Sequence, residues 1–425
     1  MAIIKPFRGW RYASRFTEQI GKLISPPFDV VSAKQRAVLY QEPYNSIHIS
    51  VPKPEHSVQF AAKTWEEWKE SEIVIQDELP AIYVYYQCFQ LPGVAKHYCR
   101  KGFIAMIKAT YWEEKVVLRH EDTIPGSVND RVELLEATQL NASPTHGLYT
   151  DPNHRLEAFM DESMENLIYQ AEDYQGVRDM ISVITDPKVI HKFVLTMHDK
   201  QIILADGHHR YEGSLIHRRT HSQQNTEHSG DEGYNYHLMY LTNTESEDLV
   251  ILPTHRLIRD FPLPSAETIL DRASQYFTIK PIENASDAPE IIAGKKWAFG
   301  LLFGDESYKL RLKPELFETM DWDLHPDVKS LETVVLHYFF IEKVLGISRE
   351  QQARSPHISY ERNFANCYHQ VVQQEAQMAL ITNGVTVEEV KKVCYSGNIM
   401  PQKSTYFYPK AICGFIFSSI RDDEV

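Results

Sequence analysis

The residues with most chemical content in this chain are contiguous: Ala205-Asp206-Gly207-His208-His209-Arg210-Tyr211-Glu212. The apolar run Ile202-Ile203-Leu204-Ala205 before them has the composition of a buried strand, and His208 to Arg219 reads as a helix. A glycine at that junction permits positive φ or close approach of the backbone to a ligand. The first-turn N–H groups of a helix are unpaired and carry the positive end of its dipole, which suits phosphate oxygens. His208, His209 and Arg210 add donors in the same turn, and an arginine fork can hold a phosphate through two bonds. Asp206 would cap the helix or hold a metal ion that accompanies the phosphates. A lone Asp-Gly is often only a cap; two histidines and an arginine in one turn favour a site. The turn also admits a metal reading, since His208 and Glu212 stand at i,i+4 and His209 and Glu212 at i,i+3. No HExxH or HxH pattern completes a ligand set there.

Two further segments carry reactive side chains. In Arg119-His120-Glu121-Asp122, followed by Asn129-Asp130-Arg131, a carboxylate beside a histidine is a candidate general base if Glu121 or Asp130 folds against Asp206. Otherwise this is a solvated polar loop. In Met400 to Lys410, Lys403-Ser404-Thr405 resembles the end of a P-loop, but the glycines are missing and a Walker reading fails. Lys403 with its flanking hydroxyls would contact an anionic ligand, or the segment is a strand with alternating aromatics. Asp29, Asn141 to Tyr149 and Pro253-Thr254-His255-Arg256 are lesser candidates that turn chemistry alone explains.

The elements that must position these residues alternate between helix and strand. Ser32 is a suitable N-cap for a helix over 33–41, and Ile47 to Val51 alternates like a half-buried strand. A Trp-bearing helix over 64–71 precedes strands over 81–89, 103–109 and 116–119. Pro125-Gly126 marks a loop, and 129–139 has helical spacing. Strands follow at 237–242 and 250–252, with a polar loop over 222–233 before them. Helices are expected over 331–344 and 387–394, a helix running into a strand over 373–381, a strand over 412–420, and a frayed acidic tail over 421–425. The class is mixed α/β, divided as an N-terminal segment 1–100, a middle segment 101–260 and a C-terminal segment 261–425.

The composition narrows the partners. The chain has 425 residues, 43% hydrophobic and 24% charged, enough to bury large cores. Its formal net charge of −14, with no run of five basic residues, disfavours nucleic acid and anionic membranes. The five cysteines, at positions 88, 99, 367, 394 and 413, are odd in number and lack CxxC spacing, so free thiols in a reducing compartment are expected. Met1 to Arg8 has no apolar core of signal-peptide length, and the apolar stretches elsewhere are strand-sized. A cytoplasmic location is therefore expected.

The chain resembles a widespread bacterial family catalogued as domain of unknown function 1015. The resemblance runs nearly end to end, through Pro6-Phe7-Arg8-Gly9, Pro26-Pro27-Phe28-Asp29-Val30, Pro43-Tyr44-Asn45, Arg119-His120-Glu121, Ala205 to Glu212, Leu252 to Arg256 and Met400 to Lys410. It implies no particular activity. The middle segment is similar to the phosphate-binding box of ParB-like and sulfiredoxin-like domains, which implies a central domain of that fold with added N- and C-terminal α/β segments. That superfamily includes ADP-dependent free-serine kinases, in which an acidic residue upstream of the box is the base. The resemblance implies that role for Glu121, with Asp206 to Arg210 around the phosphates of ADP or ATP, Asp206 on Mg²⁺, and His209 among the catalytic groups. Gly207, His208, His209, Arg210, Lys403, Ser404 and Thr405 are then the phosphate-binding set. The departure is the long stretch between Glu121 and Asp206. Sulfiredoxin chemistry needs a cysteine in the box, and none is there.

Three functions follow as expectations. The first is a phosphotransferase, most concretely a kinase of a small, serine-like hydroxyl substrate. The second is a metal-assisted hydrolase or phosphatase using His208, His209 and Glu212. The third is a ParB-like nucleic-acid-binding or regulatory module, against which the charge counts.

Overall fold

The computed structural model describes residues 1–53, 57–352 and 355–424. By its internal contacts the chain forms two compact units, Met1–Leu249 with Pro409–Val425, and Val250–Tyr408. The division read near residue 100 falls just past a hairpin turn within one sheet, and the one near 260 lies beyond Leu249.

The first unit is built on a nine-stranded mixed sheet. Its strands are β1 (Ile4–Lys5), β2 (Ile82–Gln90), β3 (His97–Lys108), β4 (Val117–Arg119), β5 (Thr145–Tyr149), β6 (Leu167–Glu172), β7 (Arg178–Ile184), β8 (Ile202–Asp206) and β9 (Tyr236–Asn243). The order is β4-β8-β5-β9-β3-β2-β7-β6, with β1 pairing to the end of β3. β4 and β8 run parallel, as do β5 and β9; the other pairings are antiparallel.

Both faces of this sheet are buried, so its central strands read as continuous apolar runs rather than alternating ones. Tyr83, Tyr85, Leu238 and Tyr240 point into one core, which contains Trp65, Trp68, Phe415 and Phe417. Ile82, Val84, Met239 and Leu241 point into the other, with Phe193, Met197, Tyr211 and Leu215. Helices α2 (Ile47–Ser50), α3 (Val58–Glu70), α5 (Pro187–His198) and α6 (His208–Gln224) place residues in these cores, accompanied by α1 (Ala33–Leu39) and α4 (Pro125–Thr138). Ser32 caps α1 in a reciprocal capping box with Gln35.

The second unit carries a six-stranded antiparallel sheet of β10 (His255–Ile258), β11 (Phe277–Pro281), β12 (Ala298–Phe303), β13 (Glu306–Leu312), β14 (Ile358–Glu361) and β15 (Met378–Ile381), in the order β11-β13-β12-β15-β10-β14. The helix expected over 331–344 is present, but Leu336–Glu342 is wound as a π-helix. The helix expected at 373 ends earlier, at Val372, before the strand Met378–Ile381.

Several expectations are corrected. Ile47 to Val51 is a helical turn, because the Asn45 side chain accepts from Ile47 N–H and donates to the Lys22 and Ile24 carbonyls, folding the chain there. Pro125-Gly126 opens α4 instead of interrupting it, proline being suited to a first helical position. The stretch 412–420 is buried but pairs only at points, Cys413 with Ser25, Phe417 with Trp10, and Ser418–Ser419 with Leu140–Asn141. The tail is pinned rather than frayed: Glu424 pairs with Lys69 at 3.0 Å and Arg421 with Glu66 at 2.6 Å, while Val425 lies outside the described residues. Cys88 and Cys99 are not free thiols. The β2–β3 register sets them opposite one another and they form a disulfide, leaving Cys367, Cys394 and Cys413 reduced. No described helix is long and apolar enough to cross a membrane.

Candidate functional site

The parallel pairing of β4 with β8 creates the site. Val117, Leu118 and Arg119 stand opposite Ile202, Ile203 and Leu204, so the chain leaves both strands on the same side. His120 and Glu121 follow β4 where Ala205 and Asp206 end β8 and Gly207 follows it. The carboxyl ends of adjoining parallel strands are where open α/β sheets place their ligands. Glu121 and the box, far apart in sequence, thereby follow the ends of adjoining strands.

Gly207 is the hinge of the box. Its φ is +90°, and it serves as the N-cap of α6 with no side chain capping the first turn. A Cβ there would lie 2.6 Å from Thr145 Cγ2 and 2.8 Å from Arg210 Nη2, so both conformation and space select glycine. α6 is 17 residues long, and its uncapped N-terminus faces the ends of β4 and β8.

Asp206 is buried, and each of its oxygens meets a cation. Lys410 Nζ donates to Oδ1, and Arg210 Nη2 donates to Oδ2 at 2.9 Å. Burial pushes its carboxyl up, but Lys410 and Arg210 outweigh this and hold it well below the usual carboxylate range. These three side chains together carry a formal charge of +1. A Mg²⁺ ion on this carboxylate, the role expected of Asp206, would have to share it with Lys410 and Arg210.

Arg210 departs from the expected role. Nη1 donates to Ser143 Oγ at 2.9 Å and to the Pro144 carbonyl at 2.8 Å. With Nη2 on Asp206, its fork is used within the protein, tying the loop before β5 to the box. The Nε is buried without a partner.

The histidines divide into two kinds. His120 Nδ1–H donates to the Leu204 carbonyl at 2.7 Å, which turns its Nε2 toward Glu121, 3.9 Å from Oε1. The His208 ring meets the His120 ring edge-on at 4.6 Å, and His208 Nε2 is buried with no hydrogen-bond partner. Burial lowers the pKa of both, so both imidazoles are neutral at pH 7. His209 instead joins the two loops: its Nε2 accepts from the Ile124 N–H at 3.0 Å, and its ring lies 6.5 Å from Phe28. The Pro26-Pro27-Phe28-Asp29 segment is thus brought to the edge of the site, where Arg131 stacks on Phe28 at 4.4 Å.

The metal set expected from His208, His209 and Glu212 is not assembled. Glu212 accepts from Trp112 Nε1 at 2.5 Å, and His209 Nε2 is taken by Ile124. Asp130 pairs with its neighbour Arg131 and is exposed. Lys403, Ser404 and Thr405 belong to the second unit, where Ser404 Oγ donates to the Pro401 carbonyl at 2.6 Å and Lys403 takes a left-handed φ of +60° in an exposed turn.

Lys410 is the site residue that the sequence concealed. Nothing near Tyr406-Phe407-Tyr408-Pro409 distinguishes it from Lys403, and only the return of the chain to the first unit at Pro409 carries it to Asp206. Ser143 was visible only as part of a turn.

The family model described as protein of unknown function (DUF1015) matches residues 4–334. No curated protein matches the chain. Among solved structures, a conserved hypothetical protein from Pyrococcus furiosus is 13% identical, with a TM-score of 0.35, covering 73% of this chain and 94% of its own. A free serine kinase in complex with AMP is 11% identical, TM-score 0.33, covering 72% and 86%. SbnI with a C-terminal truncation, from Staphylococcus aureus, is 12% identical, TM-score 0.34, covering 73% and 85%. The chain belongs to the DUF1015 family.

Proposed function

We propose that this member of the DUF1015 family binds a nucleotide or a small phosphorylated metabolite at the carboxyl ends of β4 and β8, and acts there as a phosphotransferase on a small hydroxyl substrate. The observation that supports the reading is the parallel β4–β8 register, in which the strand preceding Glu121 ends beside the strand that leads into the Asp206-Gly207-His208 turn. Phosphoryl transfer needs little covalent chemistry from a protein; it needs an anion held in place and a base on the acceptor hydroxyl.

The uncapped N-terminus of α6 supplies unpaired N–H groups and the positive end of the dipole. The excess positive charge of Asp206, Lys410 and Arg210 lies against the same turn, and the unpartnered Nε2 of His208 offers a further polar contact. Glu121, 20% exposed at its side chain, can reach a substrate hydroxyl from the adjoining strand end, with neutral His120 beside it. In this reading Asp206 orients Lys410 and Arg210 instead of binding metal, and a Mg²⁺ ion would enter on the phosphates of ADP or ATP.

Calorimetric titration of the full chain with ATP, ADP, AMP and inorganic phosphate tests the binding half. Glu121→Gln should keep the affinity and lose at least about 100-fold in turnover, the usual contribution of a general base. Absence of binding to all four ligands, or full turnover by the Glu121→Gln variant, rejects the reading.

A further inference from the structure

We propose that Glu136, His217 and His221 form a binding site for a divalent transition-metal ion of the zinc class, with coordination positions left open to solvent. The three residues lie outside the box, farther along α6 and on the helix beside it. His217 and His221 are four residues apart on α6, so both rings project from one face of successive turns. Glu136 comes from α4, which packs alongside; Gly213 of α6 has the Arg131 and Val132 main chain within van der Waals reach of a Cβ.

One nitrogen from each histidine and one carboxylate oxygen all lie within 4.8 Å of one another. Glu136 Oε1 is 3.6 Å from His217 Nε2 and 3.1 Å from His221 Nε2. A tetrahedral zinc ion with bonds of about 2.0–2.1 Å has ligand–ligand edges of about 3.3 Å. The two separations bracket that edge.

An ion pair alone accounts for His221, whose Nε2 lies 3.1 Å from each Glu136 oxygen. It does not account for His217. That side chain is 3% exposed, its Nε2 is beyond hydrogen-bond length from Glu136, and its Nδ1 is buried with no partner. The Nε2 of this buried imidazole, 3.6 Å from a carboxylate oxygen, is spaced for a shared ion rather than for a hydrogen bond, while Nδ1 keeps no partner either way. A cation shared with His221 and Glu136 engages Nε2 from within the existing geometry.

The ligand types select the metal. Two imidazoles and one carboxylate suit zinc and its first-row neighbours, whereas Mg²⁺ and Ca²⁺ take oxygen ligands. A cavity of about 510 Å³, lined by both histidines together with Tyr234 and Asp422, adjoins the set. Three protein ligands beside such a space leave room for water or a small anion in the remaining positions, the arrangement of a metal site that is not closed.

The full chain, stripped with a chelator and dialysed, is titrated with Co²⁺ and followed by its visible ligand-field bands. One equivalent should bind, and excess Zn²⁺ should bleach the bands. Glu136→Gln and His221→Ala, both at part-exposed positions, should each weaken binding at least about 100-fold, while His154→Ala, at an exposed histidine elsewhere, should bind as the parent does. Less than one equivalent in the parent chain, or near-parental affinity in either the Glu136 or the His221 variant, overturns the proposal. His217→Ala is a supporting variant only, because its burial makes misfolding a competing cause of loss.

Discussion

Lys410 donates to Asp206 across a sequence separation of 204 residues, and that bond closes the first unit around its site. The chain leaves the first unit at Val250 and returns at Pro409; the first long side chain after the return is the one that gives the Asp206–Arg210 pair its excess positive charge. The return is fastened on both sides of the lysine. Arg100 donates to the Pro409 carbonyl, and Gln87 donates to the Lys410 carbonyl at 3.1 Å. Replacing Lys410 by Met leaves a buried carboxylate with Arg210 as its remaining cation. The expected loss is about 3 kcal/mol of unfolding free energy, the low end for breaking a buried pair. Asp206→Asn combined with Lys410→Met should recover part of it. Urea denaturation of the two single variants and the double variant measures the coupling; strict additivity would contradict the pairing.

Gly207→Ala meets two obstacles at once, a left-handed backbone and a Cβ held against Thr145 and Arg210. Backbone strain alone costs about 1–3 kcal/mol. The start of α6 should shift to relieve it, so phosphate-ligand affinity should fall further than thermal stability does. Paired measurements of ligand affinity and melting temperature distinguish this from general unfolding. Gly126→Ala, at a site where a Cβ meets nothing within 4 Å, is the control.

How much of this was legible in the sequence depends on how local the cause was. The strand–Gly207–helix turn, the Ser32 cap and the apolar strands are decided by neighbouring residues and were readable. Ile47 to Val51 alternates genuinely like a strand, yet Asn45 binds the chain into a turn through carbonyls more than 20 residues away. The site followed the same rule. The box was visible as a string of residues, and the proximity of Glu121 needed the β4–β8 register. Lys410 needed a chain reversal that no pattern announces. Arg210 looked like a phosphate fork because its partners Ser143 and Pro144 are 67 and 66 residues away.

The cysteine count makes a discriminating prediction. Spacing gave no reason to pair Cys88 with Cys99, but the hairpin register sets them directly opposite. Thiol titration of the unfolded, unreduced chain should therefore find three reactive groups, Cys367, Cys394 and Cys413, and five after reduction. Rapid acid quenching with a thiol-blocking reagent at lysis preserves the state in the cell. Five reactive thiols before reduction would show that the pair stands reduced.

Asp179 provides a pH signature that is separate from the site. Burial pushes its carboxyl up to about 7, although Tyr85 Oη–H at 2.6 Å and Gln87 Nε2–H at 2.9 Å both donate to its Oδ1. In the unfolded chain an aspartate has a pKa of about 3.9. Between those two values the native state keeps the proton and the unfolded state has released it. The native state then binds more protons, so this group makes stability fall as pH rises, by up to about 1.4 kcal/mol per pH unit, and adds no further slope above pH 7. Asn at this position can still accept both hydrogen bonds through its Oδ1 and cannot titrate. The difference in unfolding free energy between Asp179→Asn and the parent should therefore grow in favour of the variant from pH 4 to pH 7 and then level off. A difference that is flat over that range would mean that Asp179 is ionised in the folded protein and that its neighbours, Tyr85 and Gln87 foremost, outweigh its burial.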